Sequence, residues 1–388
     1  MGRLISTSIF DNTNFVDHHC HGVVAHETDR LGFENLITES NWQAPQGTTY
    51  FHSQLGVQIL NRCGPLLDLE PGVSPEQYLA RRAELGAETV NARFLRAAEI
   101  DRYLIETGYR GDDILQPQEM ADVAKATADE VLRLERLAEI TIEQVQSGRE
   151  FIQKFGDELS KAARAIVGVK SIAAYRGGLE FDPSRPSEEE VAAAADAWKA
   201  RIQASDGEIR LEDSTLIRHG LWSAVDLGLT IQFHIGYGDP DVDLHRCNPL
   251  LLTEWLRLTR ESGSRVTLLH CYPYHREAGY LAHVFPHVYC DVGLAINYVG
   301  ARAPEIIAES LELTPFDKAL FSSDAFGASE LYFLGAELFK LGLATVLDQW
   351  CETQAWSYRD AENLVESICG ANAVRAYSLS DSPQFVSK

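Results

Sequence analysis

The sequence predicts an α/β fold: a (β/α)8 barrel of the TIM type, with extra helices inserted after the first strand and at the C-terminus. Three observations predict it. Short apolar runs of strand length alternate with longer helix-forming stretches, the order that builds a parallel sheet. Eight such units can be followed along the chain, the number that closes a barrel. The 388 residues exceed an ordinary domain yet suit one barrel, so residues 1–388 are read as a single domain.

The elements follow in order. Phe15–Cys20 is the first strand. Residues 26–72, rich in Gly, Asn, Gln and aromatics, read as a lid-like loop, because loops of this length in a compact domain commonly carry function. Ser74-Pro75 starts a helix, with Ser as N-cap and Pro at the first position, that runs to about Glu99. Arg102–Thr107 is the second strand, ended by Gly108. Val131–Leu137, where charged and apolar residues alternate, is the third. An amphipathic helix then spans Thr141 to about Ala165, and Ile166–Ile172 is the fourth strand. Ser187 opens an acidic, Ala-rich helix that ends near Ala204. Leu229–His234, Arg265–His270, Val288–Val292 and Ala319–Asp324 complete the eight strands, and C-terminal helices are expected near 328–388.

A formal charge of −23 argues against nucleic acid and against anionic membrane surfaces, both of which attract basic faces. No apolar run has the length of a membrane span, and the opening residues lack the basic-then-apolar pattern of a secretory leader. The seven cysteines are odd in number and without C-x-x-C spacing, which excludes a disulfide framework and points to a reducing cytoplasm. Cys20 and Cys271 read as small apolar fillers rather than nucleophiles. The expected partner is a small-molecule substrate; a homo-oligomer is compatible with the sequence but not required by it.

The chemistry concentrates at strand ends. In Asp17-His18-His19-Cys20-His21, strand periodicity puts His19 and His21 on one face, where two imidazoles can grip one divalent ion. His234, His270 and Asp324 finish strands five, six and eight, and barrels of this type keep their active sites at the C-terminal ends of the strands. Singly, each has an ordinary reading, as a buried structural histidine or, for Asp324, a helix N-cap. Together they read as a metal site.

This set resembles the amidohydrolase superfamily, whose barrel carries H-x-H on strand one, His on strands five and six, and Asp on strand eight. The resemblance runs from Asp17 to past Asp324. The segments VGVKSIAAYRGGLE, QFHIGYGDPDVDL and LLHCYPYHREAGYLA are similar to the amidohydrolase-related branch, which includes the nodulin-like domain fused to glutamine-synthetase-like proteins. The resemblance implies a divalent metal, zinc before manganese or iron, held by His19, His21, His234 and Asp324. With two ions, a carboxylated Lys170 would bridge them and His270 would be a further ligand. With one ion, Lys170 stays an ammonium and His270 polarises the substrate carbonyl or the developing oxyanion. Asp324 is then the general base toward water.

The implied activity is hydrolysis of an amide-type C–N bond in a small carboxylate-bearing substrate, a γ-glutamyl amide being the example. The alternative is non-oxidative decarboxylation. A third reading, a non-catalytic domain that kept the fold, sits poorly with a complete ligand set. Tyr175, Arg176, Tyr237 and Arg276 are the substrate-binding candidates. Each Arg can fork a carboxylate, or instead brace a loop against a neighbouring acid such as Glu180 or Glu277. Asp239 and Asp243 read as capping residues, and His18, His26, His245 and His275 as loop or supporting groups.

Overall fold

The computed structural model describes residues 7–11, 13–204, 209–353 and 356–380, so positions 354–355 and 381–388 of the predicted C-terminal helices lie outside the described residues. Its centre is one parallel sheet of seven strands in chain order: β1 (Val16–Cys20), β2 (Arg102–Glu106), β3 (Thr127–Arg133), β4 (Gly168–Ser171), β5 (Ile231–His234), β6 (Val266–Leu269) and β7 (Val288–Cys290). β1, β2, β4, β5, β6 and β7 are buried along their whole length, as strands covered on both faces by other side chains must be.

The predicted eighth strand is extended but irregular. Leu320 N donates to Cys290 O of β7 at 3.0 Å, while His18 N donates to Phe321 O and Asp324 N to His19 O at 3.1 Å each. Only one bridge, Cys290 with Ala319, reaches strand geometry. The architecture is therefore an α/β barrel of seven regular strands, with the 319–325 segment spanning β7 and β1.

Other expectations shift for clear reasons. β3 ends at Arg133, and Leu134–Leu137 belongs to the helix Leu134–Glu143. Leu134, Ala138 and Ile142 recur every four residues and are all buried, so helical burial overrides the charged–apolar alternation. The helix expected over Thr141–Ala165 breaks after Glu143 and restarts as Gly148–Ala162, with Ser147 Oγ accepting from Glu150 N at 3.3 Å. The helix begun at Ser74 has its capping box, Ser74 with Gln77, but divides at Gly86 into Pro75–Leu85 and Ala87–Ala97. Gly86 sits at φ 81°, a conformation that side-chain-bearing residues resist. The 26–72 stretch holds short helices at Arg30–Asn35 and Gln54–Gln58 instead of being wholly irregular. After the barrel come Ser329–Glu352, Tyr358–Glu366 and Asn372–Tyr377. Among the described residues no helix is long and apolar enough to cross a membrane.

One irregularity positions the site. Asp17 pairs with Tyr103 and Cys20 with Ile105, so three steps along β1 face two along β2. The extra residue is a bulge, which re-aims side chains. His18 and His19 consequently both reach groups inside the barrel. His18 meets Asp291 Oδ2 and Tyr377 Oη at 2.9 Å each; His19 Nε2 meets Lys170 Nζ at 2.9 Å. Tyr377 Oη also accepts from Gln232 Nε2 of β5 at 2.8 Å and lies 3.2 Å from Thr267 Oγ1 of β6. These groups make a hydrogen-bonded floor under the site.

Candidate metal centre

Every strand delivers a polar residue to the same end of the barrel: His21, Glu106, Arg133, Lys170, His234, His270 and Asp291 at β1 to β7, and Asp324 on the spanning segment. Six of these, His21, Arg133, Lys170, His234, His270 and Asp324, line a cavity of about 550 Å³.

His19, His270 and Asp324 form the tightest set, with one ligand atom from each lying within 4.8 Å of the others. Asp324 Oδ1 is 3.0 Å from His19 Nε2 and 3.9 Å from His21 Nε2, and Asp324 Oδ2 is 3.4 Å from His270 Nδ1. His234 stands beside them, its ring centre 5.0 Å from that of His270. The residues fit a divalent cation. His19 Nδ1, His234 Nε2, both ring nitrogens of His270 and Asp324 Oδ1 are buried without hydrogen-bond partners, although buried polar atoms normally find them. An N/O donor set of this kind suits a borderline ion such as zinc.

The electrostatics of the imidazoles favour the same state. Burial, reinforced by Lys170, pulls His21 and His234 down to about 3 and holds His19 well below the usual imidazole range. Burial, with His234 and Lys170 adding to it, does the same for His270. All four are thus neutral, the form that binds metal. Burial raises the Asp324 carboxyl well above the ordinary range, with Lys170 opposing the shift. Burial lowers Lys170, opposed by Asp324 and Glu106. His270 and Asp324 also take left-handed backbone, φ 65° and 48°. Such conformations cost on the order of 1–3 kcal/mol and collect at functional sites.

Supporting bonds hold this geometry. Asp17 accepts from Ser323 N at 3.0 Å and Ser323 Oγ at 2.5 Å, tying β1 to the spanning segment next to Asp324. Asp291 accepts from His270 N at 3.0 Å and Ser322 Oγ at 2.9 Å. His21 Nδ1 lies 3.1 Å from Glu106 O, which orients the ring. His18, read as a loop or supporting group, is a fully buried strand residue that braces this floor.

The substrate-binding candidates separate. Tyr175 lines the cavity and its ring lies 4.5 Å from that of His234. Arg176 lines it too, with Nε unpartnered and its nearest acid, Glu139, at 4.0 Å. Tyr237 packs edge-on against Tyr298, its hydroxyl buried and unpartnered. Arg276 does not join them. It sits exposed on the helix His275–Val284 and pairs with Glu312 at 2.9 Å and Glu309 at 3.3 Å, so it braces that helix against the one at Ala303–Ser310. Asp239 caps its own turn, accepting from Asp241 N at 2.8 Å, and also lines the cavity. Residues not anticipated are Glu39, Arg133, Arg210, Asn297 and Tyr298, all lining the cavity, and Glu106, whose carboxylate is forked by Arg133. Glu106 carried the same signal as His234, an ionisable residue closing a buried strand, whereas Arg133 closes β3, which is only partly buried.

Residues 70–379 match the amidohydrolase family model. A candidate metal-dependent hydrolase of Lactobacillus casei is 30% identical, with a TM-score of 0.84 over 97% of this chain and 98% of that one. Protein fluG of Emericella nidulans is 33% identical over 230 residues, 56% of this chain but only 26% of the relative, so the match spans about a quarter of that protein. A uronate isomerase of Bacillus halodurans shares the fold at 13% identity, with a TM-score of 0.65 over 97% of this chain and 96% of that one. The family match, falling on a chain whose strand ends gather the histidines and aspartate just described, shows that this protein belongs to the amidohydrolase family.

Proposed function

We propose that the protein is a metal-dependent hydrolase that cleaves the amide-type C–N bond of a small carboxylate-bearing substrate, with γ-glutamyl amides as the substrate class. The observation that carries this reading is the set of buried, unpartnered imidazole nitrogens gathered around Asp324. His19, His21, His234 and Asp324 would hold one zinc ion, with His270 alongside. When bound, the ion supplies a water that is nucleophilic near neutral pH.

The chain's own groups do the rest. Asp324, its carboxyl raised by burial, accepts the proton of the attacking water and returns it to the leaving nitrogen. His270 donates a ring N–H to the oxygen on which negative charge develops. Arg176, with Nε free, forks the substrate carboxylate. Lys170 remains an ammonium, its Nζ 2.9 Å from His19 Nε2.

Metal analysis and product identification test this together. Purified protein is expected to carry about one zinc per chain, the stoichiometry of a catalytic site of this type. The His19→Ala/His21→Ala double variant is expected to lose both metal and turnover, and Lys170→Ala to keep its metal. Full occupancy in the double variant would remove the metal assignment. Two ions in the wild type, with one lost in Lys170→Ala, would mean that Lys170 is a carboxylated ligand. Release of carbon dioxide from an acid, in place of an amine from an amide, would assign decarboxylation.

A further inference from the structure

The 26–72 stretch between β1 and β2 contributes six residues to the cavity wall, of which Glu39 alone is ionisable, and the mechanism uses none of them. Glu39 lines the cavity, and its carboxylate accepts a hydrogen bond from Tyr298. No Arg or Lys among the described residues forms an ion pair with it. Lys170 is close enough to stabilise its charge but is engaged with His19. Asn297 precedes Tyr298 on the helix Gly293–Val299 and lines the same cavity while only 2% exposed. Its Nδ2 donates to Leu331 O at 3.2 Å, and its Oδ1 has no partner.

Two hydrogen-bond acceptors therefore belong to one cavity wall, the Glu39 carboxylate taking the Tyr298 hydroxyl and Asn297 Oδ1 having no partner. A buried amide oxygen left unpaired costs about 1–3 kcal/mol, which a ligand donor would recover. Burial and the nearby Asp239 raise the Glu39 carboxyl above its ordinary range, a cost that a bound cation also removes. The surroundings are aromatic: Tyr298 packs edge-on against Tyr237, and Tyr109 against Phe326, with Tyr109, Tyr298 and Phe326 all on the cavity wall. Carboxylate plus aromatic rings is the environment that favours an ammonium over an uncharged group.

We propose that Glu39 and Asn297 Oδ1, beside Tyr298, form a subsite for a protonated amine of the substrate, while Arg176 takes its carboxylate. The substrate class narrows to amides of amino acids that keep both charged groups. The identity of the scissile bond rests on the hydrolase reading above; the amine subsite itself does not.

Calorimetry on the metal-loaded protein separates the two, with glutamate and glutarate as probes. They share two carboxylates, and only glutamate has the amine. Glutamate is expected to bind about tenfold or more tightly than glutarate, and Glu39→Gln to abolish that preference. Equal binding, tighter glutarate, no binding by either, or a preference that survives Glu39→Gln overturns the proposal. The same contrast is then read in hydrolysis of γ-glutamyl anilide against glutaryl anilide. Should the calorimetric preference hold while neither anilide is cleaved, the hydrolase reading fails and the amine subsite stands.

Discussion

Asp324→Asn lowers turnover by roughly 10²–10⁴-fold, the usual worth of a general base, while the fold and the melting temperature stay close to wild type. The choice of Asn follows from the backbone. Asp324 sits at φ 48°, where Asn is tolerated almost as well as Asp, whereas Ala would add strain to the chemical loss. The bond from Asp324 N to His19 O survives, so the spanning segment keeps its seat against β1. What disappears is the proton acceptor and one negative charge beside Lys170. Steady-state kinetics with a thermal melt and metal analysis on the same sample check this. Turnover within about threefold of wild type, in metal-loaded and folded protein, would place the base elsewhere.

Glu106→Gln is expected to destabilise the protein by about 3–5 kcal/mol, the range seen when one member of a buried ion pair is removed. Glu106 is wholly buried, and Arg133 donates to it from both Nε, at 3.1 Å, and Nη2. Burial alone would raise its carboxyl, yet Arg133, with His21 and Lys170, brings it down to about 2. Gln keeps the shape and leaves the guanidinium without a counter-charge. Pairing the change with Arg133→Met removes the stranded cation and should recover most of the loss, because a matched apolar replacement for a buried pair is often near neutral. Urea denaturation of the two variants measures this. A loss below about 1 kcal/mol in Glu106→Gln would class the pair with ordinary surface salt bridges.

How far the sequence could be read follows from burial. β5 and β6 are buried throughout and largely apolar, so the histidine that closes each stands out, while β1 stands out by its H-x-H spacing behind Phe15-Val16. His19, His21, His234 and His270 were legible for these reasons. β3 was misplaced because it is only partly buried, and the stretch after it satisfies strand and helix periods at once. Arg276 was misjudged because nearness to a strand end does not say which side of the following helix a residue takes. Glu39 lies in an insert with no period to fix its direction, and Asn297 in a short helix after β7, so only the folded chain shows that they share a cavity. The bulge in β1 was hidden as well: a two-residue period places His18 on the outer face, where the extra residue in fact turns it inward.

The floor beneath the metal centre has a consequence for biosynthesis. His18 and Tyr377 meet at 2.9 Å although they stand 359 residues apart along the chain. A ribosome therefore completes nearly the whole barrel before the residue that closes its base is made. Until the helix Asn372–Tyr377 docks, His18, Gln232 and Thr267 lack a shared partner deep in the sheet, and the strand that bears His19 lacks that anchor. A chain that stops short of Tyr377 would therefore keep every strand residue yet lose the hydroxyl that joins His18, Gln232 and Thr267 beneath the ligand cluster.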